Sequence, residues 1–162
     1  MSQTFAVDPG VAGTGYAVIE RYTRADGDST FTLRDAGNIY APKHITSFEG
    51  KARHIVDKLE DIVMHFDNIE DILLEFPTYM PGRQVASSTD ATIKMAYIVG
   101  MMDHMLHRNY GPVTVVIPTK WKGTMSKALV DRRVRKRILV PPTVKSHAID
   151  AIGIGLWHLG QW

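Results

Sequence analysis

The sequence predicts an α/β fold in which strands open the chain and later strands alternate with helices. Two stretches support this prediction. Residues 3–19 read as two short strands joined by a glycine-rich turn, and residues 48–66 repeat apolar side chains at helical spacing. The 162 residues are 44% hydrophobic and 22% charged, which suits one globular domain spanning 1–162.

Cysteine is absent from the chain, which excludes disulfides, thiolate zinc sites and cysteine nucleophiles. The first residues lack a basic and apolar leader pattern, and no window approaches about 18 uninterrupted apolar residues. We therefore expect neither secretion nor membrane insertion, and the composition suits the cytoplasm.

The opening turn places an acid at the end of the first strand. Pro9 fixes its own φ angle, while Gly10, Gly13 and Gly15 permit close backbone approaches. This turn holds Asp8 beside exposed backbone N–H groups. Asp8 is then either an ordinary turn residue that bonds its own backbone or the first ligand of a metal site.

Residues 30–36 alternate as a third strand after a polar turn at 24–29. The stretch Thr46-Ser47-Phe48-Glu49 matches a capping box and predicts a helix start. The apolar side chains that follow share one helical face, which predicts a helix lying on one side of the sheet. They are Phe48, Ala52, Ile55, Val56, Leu59, Ile62, Val63 and Phe66.

Residues 71–75 read as a buried fourth strand, and Phe76-Pro77 ends its regular pairing. Glu75 closes this strand as Asp8 closes the first. It is either an exposed carboxylate at a strand end or a second metal ligand. A loop over 78–88 follows, and the pair Ser87-Ser88 is predicted to cap a helix that runs to about residue 108.

This second helix is apolar nearly all round. Ile93, Tyr97 and Met101 mark one side, and the other side carries Met95, Ile98, Val99, Met102 and Met105. It is either a central core helix or a helix whose second face meets the same helix of another subunit. We favour the second interpretation, a homodimer through residues 89–108.

A basic segment follows the fifth predicted strand at 113–117. Between Lys120 and Lys145, nine basic residues face one acid, Asp131, for a local net charge of +8. Such a cluster is either a solvated helix face, predicted here at 128–139, or a surface for a polyanion such as nucleic acid. Trp121, set between two lysines, suits a phosphate-contacting loop or a buried anchor.

The last predicted helix, 147–157, begins after Ser146, which we expect to be its cap. His147 and Asp150 are three residues apart and project from one face of its first turn. Each alone has an ordinary structural explanation. Joined with Asp8 and Glu75, they form a set of oxygen and imidazole donors that suits a pair of hard divalent cations.

These residues resemble the RuvC family of Holliday junction resolvases over almost the whole chain. The matching motifs are Ala6-Val7-Asp8-Pro9-Gly10 with Gly13-Thr14-Gly15-Tyr16, Leu73-Leu74-Glu75, and His147-Ala148-Ile149-Asp150-Ala151. The resemblance implies an RNase H-like fold, with a mixed five-stranded sheet and helices on both faces.

The resemblance also implies a metal site. In the family, the first-strand Asp, the fourth-strand Glu and two acidic or His residues of the final helix bind magnesium. Here these roles fall to Asp8, Glu75, His147 and Asp150, with two Mg²⁺ per site and Mn²⁺ as a substitute. Lys127 or Lys122 would be a further catalytic residue that offsets charge on the reacting phosphate. Many members carry Asp where this chain has His147. That difference, with the insert at 21–29 and the residues after Glu75, indicates a divergent, phage-type branch.

The implied activity is metal-dependent resolution of Holliday junctions or other branched DNA. A dimer would make paired nicks that leave 5′-phosphate and 3′-hydroxyl ends. The expected DNA-binding residues combine aromatic and basic side chains: Phe76, Tyr79, Arg83, Lys120, Lys122, Lys127, Arg132 and Arg133. Phe76 or Tyr79 would be the aromatic that enters the strand crossover.

Three alternatives stay open at the level of the sequence. An actin-like ATPase-type phosphotransferase also has an Asp followed by glycines in its phosphate-binding hairpin. The other two are a non-catalytic DNA-binding module of RNase H fold and a less selective nuclease acting on other branched DNA or on RNA.

Overall fold

A five-stranded mixed sheet forms the centre of the molecule. The computed structural model describes residues 1–76 and 88–162, without the side chains of Ser88 and Thr89. The strands are β1 Ser2–Asp8, β2 Thr14–Thr23, β3 Ser29–Ile39, β4 Ile69–Glu75 and β5 Val113–Val116. Their order is β3-β2-β1-β4-β5. The first three strands pair antiparallel, whereas β4 runs parallel to β1 and to β5. This confirms the predicted fold class.

Helices cover both faces of the sheet, because the side chains of β1 alternate between two hydrophobic clusters. Phe5 and Val7 pack with the helices at 48–63 and 88–110, and Ala6 packs with the helices at 127–137 and 147–158. The helices are α1 Phe48–Val63, α2 Ser88–Tyr110, α3 Pro118–Trp121, α4 Lys127–Arg137 and α5 His147–His158. Every strand and helix expected from the sequence lies near its predicted position, and the four-residue α3 is an addition.

The capping box predicted for α1 is wrong by one residue. Ser47, not Thr46, precedes the helix, and its side-chain oxygen accepts the N–H of Gly50 at 3.1 Å. Glu49 is therefore the second helical residue and does not reach back to the cap. The helix start is where the sequence indicated, but a different hydroxyl caps it.

Helix α2 buries one side and exposes the other. Ile98, Met102 and Leu106 are fully buried in the core shared with α1. Ile93 is 63% exposed and Tyr97 is 43% exposed, although Tyr97 makes an edge contact with Phe48 at 5.5 Å between ring centroids. The helix is thus apolar on both sides, and the part of the chain that the structure describes buries the side that contains Met102. The predicted Ser87 cap lies outside the described residues.

Within residues 1–76 and 88–162, no helix combines the length and apolar character that crossing a membrane requires.

Candidate active site

Four of the predicted site residues meet at one end of the sheet. Asp8 is the last residue of β1 and Glu75 the last of β4, and these strands are parallel neighbours. Their carboxyl ends therefore share one edge. Helix α5 begins at the same edge with His147 and carries Asp150 one turn later. The three acids are only 5–7% exposed, and His147 is partly buried.

Each carboxylate at this edge has its own partner. His147 Nδ1 lies 2.6 Å from Asp8 Oδ2, and Trp121 Nε1 donates to Glu75 Oε2 at 2.5 Å. The Lys122 ammonium lies 3.7 Å from Glu75 Oε1 and 3.6 Å from Asp150 Oδ2. One lysine therefore faces two buried acids.

The pKa values of these groups reflect crowded negative charge. Burial, with the nearby charge of Asp8, raises the pKa of Glu75 to about 7, although Lys122 and the Trp121 hydrogen bond oppose the shift. Burial and the charge of Asp8 also raise the pKa of Asp150. The hydrogen bond that His147 makes to Asp8 raises the pKa of His147 above its usual 6.5. Lys122 and His147 only partly offset the buried carboxylates.

The donor set fits a hard divalent cation, although the side chains are not gathered around one point. In the part of the chain that the structure describes, no three His or acidic side chains converge as metal ligands. Three buried carboxylates beside an imidazole nevertheless match the oxygen and nitrogen ligands that such ions take. Keeping these acids away from water costs free energy that a bound cation would offset.

Asn38, which sequence reasoning missed, holds the start of α5. Its Oδ1 accepts the N–H of Ala148 at 3.0 Å, and its Nδ2 donates to the Lys145 carbonyl at 2.8 Å. Ser146 has a positive φ of 54° and makes no side-chain cap bond, so the predicted Ser146 cap is wrong. The cap comes instead from β3, on the strand that flanks the hairpin.

The glycine turn provides room for the same helix. A Cβ atom on Gly15 would overlap the backbone of His147, and one on Gly10 would overlap the Gly13 carbonyl and lie 3.3 Å from His147 Cε1. Gly15 pairs directly with Asn38 across β2 and β3. The glycine-rich turn and the Asn38 cap together place the start of α5 against β2, the strand that follows Asp8.

Trp121 resolves one of the alternatives left open by the sequence. It is a buried anchor in α3, packed edge-on against Trp162 at 5.3 Å between ring centroids. Its ring N–H also makes the bond to Glu75, so it helps to orient a predicted site residue. The sequence around Trp121 did not indicate a hydrogen bond to Glu75.

The other predicted DNA-binding residues differ in their exposure and contacts. Lys127 lines a cleft of about 300 Å³ together with Asp150. Lys120 and Arg132 are exposed, and Phe76 is exposed directly after Glu75. Arg133 stacks over Trp162 at 4.7 Å and lines a cavity of about 440 Å³ on α4. Tyr79 and Arg83 lie outside the described residues.

One arginine of the basic segment is committed to internal contacts. Arg135 pairs with Asp131 at 3.1 Å and donates to the carbonyls of Val140 and Val144 at 3.2 and 2.9 Å. It therefore ties α4 to the chain that leads into α5. The positive charge of the segment is not all available to a ligand.

The fold is of the RNase H-like class, and solved structures of resolvases share it. Thermus thermophilus RuvC in complex with a Holliday junction substrate aligns with a TM-score of 0.77 at 19% identity, covering 99% of this chain and 98% of that one. A second T. thermophilus RuvC structure gives 0.71 at 18% identity, with 98% and 97% covered. Fowlpox virus resolvase in complex with Holliday junction DNA gives 0.53 at 13% identity, with 98% and 97% covered.

A sequence relative points to one member of that class. The chain is 29% identical over 156 residues to the crossover junction endodeoxyribonuclease RuvC of Akkermansia muciniphila, covering 95% of this chain and 88% of the relative. No protein-family model matches the sequence. The similarity confirms the resemblance to RuvC that the motifs around Asp8, Glu75 and His147 predict.

Proposed function

We propose that residues 1–162 form one metal-dependent endonuclease domain that resolves Holliday junctions or other branched DNA. The observation that carries this proposal is the placement of Asp8, Glu75, His147 and Asp150 at one edge of an RNase H-like sheet. Two further facts support it. The A. muciniphila relative is a crossover junction endodeoxyribonuclease, and two of the similar structures are complexes with Holliday junctions.

The four residues are proposed to hold two Mg²⁺ ions, with Mn²⁺ as a substitute. When bound, such ions supply an activated water and stabilise the leaving oxygen of a phosphodiester. The chain itself contributes a carboxylate cluster shielded from water and an imidazole, bonded to Asp8 through Nδ1, that must present an unprotonated ring nitrogen to serve as a ligand. Lys127 lines the cleft beside Asp150, where a fixed positive charge would offset charge developing on the phosphate.

The proposed DNA surface surrounds this edge. Lys120, Lys127 and Arg132 are exposed and suit contacts to the phosphate backbone. Phe76 follows Glu75 directly and is exposed, so it suits stacking against an unpaired base at a crossover. Lys122, Arg133, Tyr79 and Arg83 complete the proposed set.

We further propose that the exposed side of α2 joins two copies of the chain. Ile93 and Tyr97 supply apolar area on that side, and the small residues Ala96 and Gly100 are also exposed there. Small residues allow two helices to approach closely. A twofold pair would present two sites to opposed strands, which paired nicks with 5′-phosphate and 3′-hydroxyl products require.

The test is a cleavage assay with three labelled substrates: a four-way junction, a linear duplex and an RNA hairpin, each with Mg²⁺ or with EDTA. We expect paired nicks on the junction alone, abolished by EDTA and by Asp8→Asn. End-labelled products treated with phosphatase or ligase would identify the 5′-phosphate and 3′-hydroxyl ends.

Other outcomes point elsewhere. Equal cleavage of duplex or hairpin would favour a less selective nuclease, and full activity in Asp8→Asn would contradict the metal site. If no nucleic acid were cleaved but ATP turned over with Mg²⁺, an actin-like ATPase-type phosphotransferase would be the better assignment.

A further inference from the structure

Lys122 occupies the space between two of the three buried acids. Its ammonium lies 3.7 Å from Glu75 Oε1, 3.6 Å from Asp150 Oδ2 and 4.7 Å from the centre of the Trp121 ring. The side chain is only 23% exposed. This basic residue is thus directed into the acidic cluster, although the basic segment in which it lies was expected to face DNA.

Each of the three buried acids has a hydrogen-bond or ion-pair partner within the chain. Asp8 pairs with His147, Glu75 with Trp121 and Lys122, and Asp150 with Lys122. Glu75 and Asp150 thus share one ammonium, and no three His or acidic side chains converge as ligands in the described part of the chain. A divalent cation that bridged Glu75 and Asp150 would lie near the ammonium, and two cations in so small and buried a space repel strongly.

The side chain has a route out of the cluster. Lys122 follows the last residue of α3, and the next residue, Gly123, has a φ of 54° with open space beside it. A lysine stem has four flexible carbons, so rotation about them moves the ammonium to the surface without moving the backbone. Trp121 can stay in place because its ring is buried against Trp162.

We propose that Lys122 is an internal counter-ion that divalent cations must displace. Without such a cation the ammonium stabilises the buried carboxylates, and by the same contacts it weakens cation binding. This rests on the proposed function, because it concerns cations at the same site, and it adds a residue that regulates their occupancy.

The test is calorimetric titration of the DNA-free protein with Ca²⁺ and with Mg²⁺ at about pH 8, where free carboxyl groups are charged. Removing a like charge beside two ligand oxygens should lower the Kd of Lys122→Met by about tenfold or more. Lys122→Arg keeps the charge and should bind much as the wild type does. Lys120→Met removes an exposed lysine two residues away and controls for overall charge.

Thermal unfolding gives a second readout. Without divalent cations, Lys122→Met should have a lower Tm than the wild type because its acids lose their counter-ion. In saturating Ca²⁺ this deficit should shrink. Lys122→Gln serves the same purpose if the methionine variant does not fold.

The wild-type protein supplies an independent measurement. A lysine-acylating reagent followed by mass spectrometry should modify Lys122 faster in Ca²⁺ than in EDTA, whereas Lys120 should react equally in both. Unchanged acylation of Lys122, or a Kd in Lys122→Met equal to or weaker than that of the wild type, would overturn the proposal.

Loss of the metal-dependent function and loss of the Lys122 role would give different results. If the wild type binds no divalent cation by titration or by a Tm shift, the metal-dependent function fails and the counter-ion role with it. If the wild type binds cations and Lys122→Met binds them no better, only the role of Lys122 fails.

Discussion

Glu75 shows at the scale of one residue how the acidic edge trades stability for binding. It is 7% exposed, lies close to the charge of Asp8, accepts a hydrogen bond from Trp121 and forms an ion pair with Lys122. A neutral side chain of the same shape would fit better in the absence of a cation. Residues kept in such surroundings commonly serve function at the expense of stability.

The variant Glu75→Gln should therefore be more stable without divalent cations, while losing cleavage. The pKa of Glu75 rises from 4.5 to about 7 on folding, so the native state binds more protons between these values. The stability that the preferred protonation of native Glu75 contributes is consequently lost as pH rises from about 4.5 to about 7. At about pH 8 the variant should gain roughly 1–3 kcal/mol.

Urea unfolding at about pH 5 and about pH 8 with EDTA would check this, since the gain should be largest at the higher pH. Because the glutamine oxygen can still accept the Trp121 N–H, lost packing is not expected to mask the effect. A variant less stable than the wild type at the higher pH would contradict this account of the buried charge.

At the scale of elements, α5 depends on contacts far away in the chain. Its hydrophobic pattern and the spacing of His147 and Asp150 are local, and the sequence alone was enough to predict the helix. Its cap is not local, because Asn38 and Ala148 are 110 residues apart. The same limit applies to the Trp121–Glu75 bond, which joins residues 46 apart. Local patterns therefore predicted the elements, and the contacts that orient the site required the folded structure.

The position of α5 should depend on the Asn38 cap, and this can be tested by substitution. Asn38→Ala should cost about 0.5–2 kcal/mol, as loss of a helix cap does, and should slow junction cleavage by shifting His147. Asn38→Asp keeps an acceptor for Ala148 but loses the donor to Lys145, so its loss of stability should be smaller.

Chemical unfolding and single-turnover cleavage would be measured on both variants. The acylation of Lys120, an exposed lysine outside α5, should stay as in the wild type. Cleavage unchanged in Asn38→Ala despite a measured loss of stability would limit Asn38 to a purely structural role.

Helix α2 carries the prediction about assembly. Tyr97→Glu places a charge in the proposed twofold contact and should halve the mass measured by light scattering. Tyr22→Glu is the matched control, because Tyr22 is a comparably exposed tyrosine on β2. An unchanged mass in Tyr97→Glu would count against this face. Met102 is unsuitable for the test since it is buried in its own chain.

At the scale of the whole molecule, the basic residues divide into two groups. Arg135 and Lys122 are engaged with acids and carbonyls of their own chain, whereas Lys120, Lys127 and Arg132 are exposed. The net charge of +8 counted over the segment therefore overstates what a polyanion meets. Counting charges predicted a basic surface, but only the fold shows which basic residues are exposed and which are engaged within the chain.

The salt dependence of junction binding should show this division. The measurement uses Asp8→Asn as the background, because this variant should bind the junction without cutting it. Adding Arg132→Gln and Arg133→Gln to it should reduce the slope of log affinity against log salt by about 2. Arg135→Gln should instead lower stability and leave the slope nearly unchanged, because its charge is held by Asp131 and two carbonyls. Filter-binding titrations over a salt series would compare the variants, and an equal fall in slope for Arg135→Gln would refute the assignment.

The separation of α2 and α4 onto opposite faces of the sheet has a consequence for avidity. A pair of chains joined through α2 would leave both α4 helices facing away from the contact, so that association and DNA binding would use separate surfaces. Such a pair is bivalent: once one site holds a strand, the second meets its own strand at a high effective concentration. A junction nicked once would then stay bound through the other arm, and the second cut would follow before release.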